Sequence, residues 1–376
     1  MKINLLVIQQ SPDWGGAEEW MTQLLYKIII QNHIRVYGAT NLPKMRKKWS
    51  EIGVHVESIP VVLDIIGNWK GLVKSVLAFP VAVLFYVGLL HRAKKRGVNC
   101  ILMSGFSEKI LVTWLAKIFS IPVVWYEYGP LQTVFKRNFH LPKFLYLLTK
   151  SLPKKIITIS QNTKTSLLKD AFIEEKQVDL VYPGVEIPDV VKRKKSLRVG
   201  TLSRVAEEKG QRFLLKIWPE VLKQVPEASL SIAGRGPDFE YLDNKVKKNK
   251  LSSSVSLVGF VENKSEYYNS LDVFVFCGSW KMEGFGLVLA EAMSFGVPVV
   301  CFDQAPMSEV VGSAGEKVSV GSENQFIQSI VTLLQDRNTQ KELGDRGRLR
   351  VKKSFNINIQ SNKIYQILQE VVDDKQ

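Results

Sequence analysis

The chain has 376 residues, 45% of them hydrophobic and 23% charged, which is more than one hydrophobic core usually serves and sets two globular domains as the expectation. Its three cysteines, Cys100, Cys277 and Cys301, form no Cys-x-x-Cys pair, arguing against a disulfide framework or a zinc site and for a reducing, cytoplasmic compartment. The net charge of +15 comes with neither zinc-finger spacing nor an aromatic RNA-binding signature, so nucleic acid is not expected as a partner.

The opening run "INLLVI" turns polar at Gln9, too early for a signal-peptide core, and reads as a first strand. Gly15 and Gly16 follow, just before the helical pattern "AEEWMTQLLYKII". Paired glycines at a helix start let backbone approach an anion, or they make only a tight connection. "RVYGAT", "VNCILMS", "PVVWYEY" and "KIITIS" read as further strands. Between them "VLAFPVAVLFYVGLL" is the one run approaching the ~20 apolar residues of a membrane span, and Lys74 and Pro80 interrupt it.

Pro183, Gly184 and Pro188, then the basic run Lys192–Lys195, mark a linker and place a domain boundary near residue 190. The expected division is 1–190, 191–355 and a C-terminal helix over 356–376 that packs back on the first domain. Residues 1–190 hold 24 Lys and Arg against 14 Asp and Glu, a balance of +10; the remainder holds 27 against 22, or +5. Basic clusters at Lys44–Lys48, Arg92–Arg96 and Lys136–Lys155 lie beside apolar, aromatic segments. They suit either an anionic membrane surface, with the protein peripheral on its inner face, or buried helices whose lysine ends are solvated.

The second half repeats the alternation: "LRVGTLS", "ASLSIAG", "VSLVGF", "VFVFCG" and "PVVCFD" read as strands of a parallel sheet. Arg204 and Lys209 fall in the loop after its first strand, a planar fork and a point charge suited to a diphosphate. Gly234 and Gly236 have no third glycine to complete a dinucleotide fingerprint. In "EGFGLVLAE", Glu283 ends a loop, and Glu291 lies about a turn into the helix that begins near Leu287. The amides of Gly284 to Leu287 are expected to stand open toward a ligand. Carboxylates accept hydrogen bonds from hydroxyls, so two of them beside an anion-binding helix start could hold two polyols joined by a diphosphate, the shape of a nucleotide sugar.

These residues carry a resemblance over nearly the whole chain: Gly15-Gly16-Ala17-Glu18, "VYPGVE", Arg204 with "EKG", "AGRGP", and "EGFGLVLAEAMSFGVPVV" with its E-x7-E spacing. The chain resembles the retaining glycosyltransferases of family 4. The resemblance implies an α/β GT-B fold, two Rossmann-like doubly wound domains facing across a cleft. It further implies that Glu291 bonds the ribose, and that Glu283 with the Gly284, Phe285, Gly286 and Leu287 turn contacts the donor sugar. Arg204 and Lys209 would neutralise the leaving diphosphate, with Gly15 and Gly16 also on the donor side. No Asp-x-Asp occurs, in keeping with metal-independent transfer and no cofactor. Where the family often has a histidine at the end of the fifth strand, this chain has Tyr128 preceded by Glu127, which become the acceptor-side candidates.

The expectation is a hexosyltransferase that moves sugar from a nucleotide-sugar donor to a hydroxyl of a glycan or lipid-linked acceptor in surface polysaccharide or glycolipid synthesis, with retention. The alternatives are a sugar-nucleotide epimerase or a noncatalytic membrane-surface protein on the same fold.

Overall fold

A computed structural model describes residues 2–189, 196–278 and 283–374, and the linker expected at Lys192–Lys195 lies outside them. The chain divides into two compact units, Met1–Gly184 with Ile357–Gln376, and Val185–Asn356. The seam therefore falls at Gly184, earlier than the boundary read near residue 190. It lies there because Val185 already belongs to the second unit, its amide donating to the Phe355 carbonyl at 2.8 Å.

Unit 1 is built on a parallel sheet of β1 (Asn4–Gln9), β2 (Arg35–Thr40), β3 (His55–Ser58), β4 (Cys100–Met103), β5 (Val123–Glu127), β6 (Lys155–Thr158) and β7 (Val178–Leu180). Its order is β3-β2-β1-β4-β5-β6-β7. The central strands β1, β4 and β5 are almost wholly buried, as a parallel sheet covered on both faces requires. The order reverses between β1 and β4, and Ile8 stands opposite Met103, so the loops leaving both strands emerge side by side.

The Trp69–Lys95 helix covers one face, and it runs on through Pro80, which the sequence marked as an interruption. Tyr86, Leu89, Leu90 and Ala93 of its later turns are buried in the unit 1 core with Met103 and Trp125. That burial holds the helix together where proline removes a backbone hydrogen bond. The Ile357–Asp373 helix packs on the Gly16–Asn32 helix, where Gln31 Nε2 donates to Asn358 Oδ1 at 2.9 Å.

Unit 2 repeats the plan with β8 (Arg198–Leu202), β9 (Ser229–Ala233), β10 (Val255–Gly259), β11 (Val273–Phe276), β12 (Val299–Phe302) and β13 (Glu316–Val318). The order β10-β9-β8-β11-β12-β13 reverses between β8 and β11. Its core gathers Leu214, Trp218, Ile232, Val275 and Phe326, all 2% exposed or less. Each such side chain contributes roughly 1.5–3 kcal/mol by leaving water.

Candidate functional site

Open parallel sheets present ligands with the carboxyl ends of their strands where the order reverses. In unit 2 the two loops at that point carry the cations and the first glutamate. After β8 the chain passes Arg204, makes a 3-10 turn over Glu207–Lys209 and reaches Gly210 at φ +78°. A Cβ on Gly210 would stand 2.2 Å from the Cys277 carbonyl oxygen, so only glycine lets the two loops approach this closely.

That approach delivers Lys209 to the loop after β11, where its Nζ donates to Glu283 Oε2 at 2.8 Å. The side chains are 20% and 18% exposed. The other oxygen, Glu283 Oε1, accepts from the Gly286 amide at 3.1 Å. Of the amides expected to stand open from Gly284 to Leu287, the Gly286 N–H, at the N-cap of the Leu287–Ser294 helix, is therefore already taken by a carboxylate three residues before it. Gly284 is half-buried beside it, and Leu287 begins the helix. Phe285 turns inward, its ring 5.4 Å from that of Phe355, and anchors the loop in the core. Residues 279–282 of this loop lie outside the described residues.

Arg204 is the more exposed cation and forms a salt bridge with Glu208 on its own turn. The loop backbone is fixed by Gln211, which is buried and donates through Nε2 to Ser203 Oγ at 2.7 Å and to the Arg204 carbonyl at 3.1 Å. The glycines of "AGRGP" serve the same loop: a Cβ on Gly234 would stand 1.9 Å from the Ser203 carbonyl oxygen.

Glu291 sits one turn into the Leu287–Ser294 helix. Its Oε1 accepts from Lys264 Nζ at 2.8 Å and its Oε2 from the Tyr268 hydroxyl at 2.6 Å. Lys264 and Tyr268 are four residues apart on the Lys264–Asn269 helix and so share one face of it. Tyr268 stacks on Phe295, ring centroids 5.5 Å apart, and burial pushes its phenol well above the ordinary range. Sequence reasoning missed both residues. The Lys-x-x-x-Tyr spacing was visible, but nothing in it named Glu291 as the partner.

In unit 1 the corresponding strand ends hold a second polar cluster. Gly15 is extended before the Gly16–Asn32 helix, and its amide donates to Glu18 Oε2 at 2.8 Å. Glu18 Oε1 accepts from Gln9 Nε2 at 3.3 Å. The anion at this helix start is thus the chain's own carboxylate, which the sequence reading left unassigned. Tyr128 is half-buried and its hydroxyl donates to the Ala17 carbonyl at 3.2 Å; burial raises its phenol well above the ordinary range. The Gln9 and Ser104 side chains lie within hydrogen-bonding reach of the Tyr128 hydroxyl, which tempers that rise, and Gln10 Oε1, on a side chain that bonds Tyr86, is buried with no hydrogen-bond partner among the described residues.

Glu127 has a different occupation from the acceptor-side place expected for it. At the end of β5 it is 4% exposed, its Oε1 lies 2.9 Å from Lys109 Nζ and accepts from the Tyr146 hydroxyl at 2.9 Å. Lys109 Nζ also donates to the Tyr126 carbonyl at 2.7 Å, and burial lowers its pKa. A carboxylate so engaged is the counter-ion of a buried ammonium. Glu108, the next residue back from Lys109, is also buried, which pushes its carboxyl up to about 7, and its Oε1 accepts from the Gln10 amide at 2.5 Å. Among the described residues no group of three or more His, Cys, Asp and Glu side chains could hold a metal ion.

Residues 185–350 match the glycosyl transferases group 1 family. An uncharacterized glycosyltransferase of Haemophilus influenzae is 26% identical over 199 residues, 52% of this chain and 56% of its own length. The amylovoran biosynthesis glycosyltransferase AmsD of Erwinia amylovora is 27% identical over 266 residues, 68% of this chain and 73% of its own. The chain spans about half the length, or less, of the curated relatives it matches most strongly. Among solved structures, Anabaena Alr3699/HepE in complex with UDP and glucose aligns over 98% of this chain and 100% of its own, with 17% identity and a TM-score of 0.80. The two sheets are thus the Rossmann-like α/β pair found in GT-B glycosyltransferases, and residues 185–350 form a glycosyl transferases group 1 domain.

Proposed function

We propose that this protein is a retaining hexosyltransferase of family 4, which moves a sugar from a nucleotide-sugar donor to a hydroxyl of a glycan or lipid-linked acceptor in surface polysaccharide or glycolipid synthesis. The observation that carries the reading is the Glu283 carboxylate, held between Lys209 Nζ and the Gly286 amide at the strand-order reversal of unit 2. A diphosphate leaving group gathers negative charge as the bond to the sugar breaks, and Lys209 and Arg204 are the cations placed to meet it. Glu291, oriented by Lys264 and Tyr268, takes the ribose hydroxyls. Because Glu283 shares Lys209 with the diphosphate, the carboxylate facing the sugar and the cation facing the leaving group are positioned as one unit. Attack and departure then take place on the same face of the sugar, without a metal ion. The UDP and glucose in the HepE complex support a uridine nucleotide and a hexose as the first donor to try.

In unit 1, Gln9 and Ser104 with Tyr128 form the acceptor side, where an acceptor hydroxyl would join the polar cluster these side chains make. Glu127 is left out of that role by its buried ion pair.

Thermal stabilisation by a panel of nucleotide sugars, followed by nucleotide release with and without candidate acceptors, tests the reading. A donor present at ~100 times its dissociation constant adds ~2.7 kcal/mol of stability. The expected result is stabilisation by one nucleotide sugar and acceptor-dependent release of its nucleoside diphosphate. An altered nucleotide sugar formed without acceptor would make the protein an epimerase, and no stabilisation by any donor would make it noncatalytic.

A further inference from the structure

The Trp69–Lys95 helix is long and apolar enough to cross a membrane by length and composition, yet its later turns are built into the unit 1 core. Its outer face has no such cover. Trp69, Val73, Leu77 and Leu84 fall on one stripe at helical spacing, with Trp69 66%, Leu77 76% and Leu84 74% exposed. At ~1.5 Å per residue the stripe from Trp69 to Leu84 is about 24 Å long. A soluble protein rarely leaves so continuous an apolar ridge in water.

A second, separate feature points the same way. Asn138, Phe139 and His140 all adopt positive φ, at 44°, 55° and 63°, and Phe139 stands fully exposed. Three successive left-handed non-glycine residues are strained, and the strain is sustained by bonds that pin this turn beside the start of the Trp69–Lys95 helix. Asn138 Nδ2 donates to the Ile65 carbonyl at 2.8 Å and Arg137 Nη1 to the Ile66 carbonyl at 2.7 Å. The turn therefore holds a phenylalanine out into solvent at the end of the helix where Trp69 also stands out.

The charge around this end has one sign. Residues 61–90 and 105–145, which leave out the far end of the helix, contain seven Lys and Arg against three acids, Asp64, Glu108 and Glu127. Glu108 and Glu127 are buried, and Asp64 is turned against the helix start at Gly67 and Gly71. Lys70, Lys74 and Lys136 are exposed and make no salt bridge among the described residues. By contrast, Arg92 and Arg96 at the far end are both paired with Glu57, where the apolar stripe has already given way to the buried Leu89, Leu90 and Ala93.

We propose that the outer stripe of the Trp69–Lys95 helix, together with the Phe139 turn, is a membrane-docking surface that seats in the headgroup and acyl boundary of an anionic lipid bilayer. Apolar side chains in the boundary supply the adhesion, and Lys70, Lys74, Lys136 and Arg137 meet the lipid phosphates. The helix lies along the surface rather than across it, because its last turns cannot leave the core of unit 1. The Arg92–Arg96 cluster, one of the three basic clusters that suited either lipid or solvated helix ends, is not part of this surface. The inference is independent of the donor reading, since no residue of unit 2 enters it.

Flotation of the whole chain with phosphatidylglycerol–phosphatidylcholine vesicles, and with pure phosphatidylcholine, tests it. The expected result is binding to the anionic vesicles that weakens with salt, falls at least ~10-fold in Leu77→Glu/Leu84→Glu and several-fold in Phe139→Ala, and is unchanged in Lys94→Glu/Lys95→Glu. All these positions are exposed, and unchanged thermal unfolding of each variant checks that the fold is kept. Absence of vesicle binding, or binding undiminished by Leu77→Glu/Leu84→Glu, overturns the proposal. A lipid-free dimer that the same double variant dissolves, without vesicle binding in the wild type, assigns the face to a second copy of the chain and also overturns it.

Discussion

Lys209 Nζ and Glu283 Oε2 stand 2.8 Å apart although 74 residues separate them in sequence. One leaves β8 and the other follows β11, the two strands between which the order of the unit 2 sheet reverses. Lys209→Met is expected to lower turnover ~10²-fold by removing charge from the leaving group. Glu283→Gln keeps an oxygen for the Gly286 amide but loosens Lys209. In a double-mutant cycle on kcat/KM the two should couple by ~1 kcal/mol or more. Simple additivity of the two losses would mean that the ammonium and the carboxylate act separately.

Glu291 is held differently, by a lysine and a tyrosine from one neighbouring helix. Tyr268→Phe deletes the bond to Glu291 Oε2 and keeps the ring on Phe295. If Glu291 holds the ribose away from the chemistry, this variant should raise donor KM by roughly tenfold, the equivalent of ~1.4 kcal/mol, with kcat nearly unchanged. Glu291→Gln should do the same more strongly. A fall in kcat at constant KM in either variant would move Glu291 to the reacting end of the donor.

The strands that the sequence disclosed and those it hid differ in position. β1, β4, β5, β11 and β12 are interior to their sheets, almost wholly buried, and read as mainly apolar runs. β3 (HVES), β7 (VDL) and β13 (EKV) are edge strands of three or four residues with polar side chains, and no pattern distinguishes them from loops. The site divides in the same way. Glu283 and Glu291 were legible because their spacing lies along the chain. Lys264, Tyr268 and Gln211 act through contacts that only the folded chain creates. Glu127 misled for the complementary reason: at the end of a central strand beside a tyrosine it reads as open to a ligand, and the cation that claims it lies on the Phe106–Ile118 helix.

If Arg204 and Lys209 do the work of a cation for the diphosphate, a chelator should leave initial rates of transfer within about twofold. Rates measured in EDTA, and after adding back magnesium or manganese, check this. Loss of transfer reversed by one of those ions would put a metal at the diphosphate.

Lys109 and Glu127 form an ion pair inside unit 1, with the Tyr126 carbonyl and the Tyr146 hydroxyl completing it. Lys109→Met leaves a carboxylate buried without its cation and should cost ~3–5 kcal/mol of unfolding free energy. Lys109→Met/Glu127→Leu removes both charges and should recover most of that loss. Urea denaturation of the three proteins reads both effects. A double variant as unstable as the single one would show that the Tyr126 and Tyr146 bonds, rather than the charge balance, hold this part of the core.

The last expectation concerns Glu108, whose carboxyl burial pushes up from 4.5 to about 7. Below the ordinary carboxylate range, folded and unfolded chains both carry this proton. Between there and about pH 7 the unfolded chain has lost it while the folded chain keeps it, so the folded state binds more protons and stability must fall as pH rises. Above pH 7 both are ionised and the loss is complete. At 1.36 kcal/mol per unit the interval amounts to about 3 kcal/mol. Glu108→Gln removes the titration and keeps an acceptor for the Gln10 amide, so its stability should be flatter between pH 4.5 and 7 and higher than wild type at pH 7.5. Unfolding free energies of the two proteins measured across that range check the prediction. Parallel curves would mean that Glu108 ionises in the folded chain as readily as in the unfolded one, with its charge answered by the Gln10 amide and by Lys109 next to it.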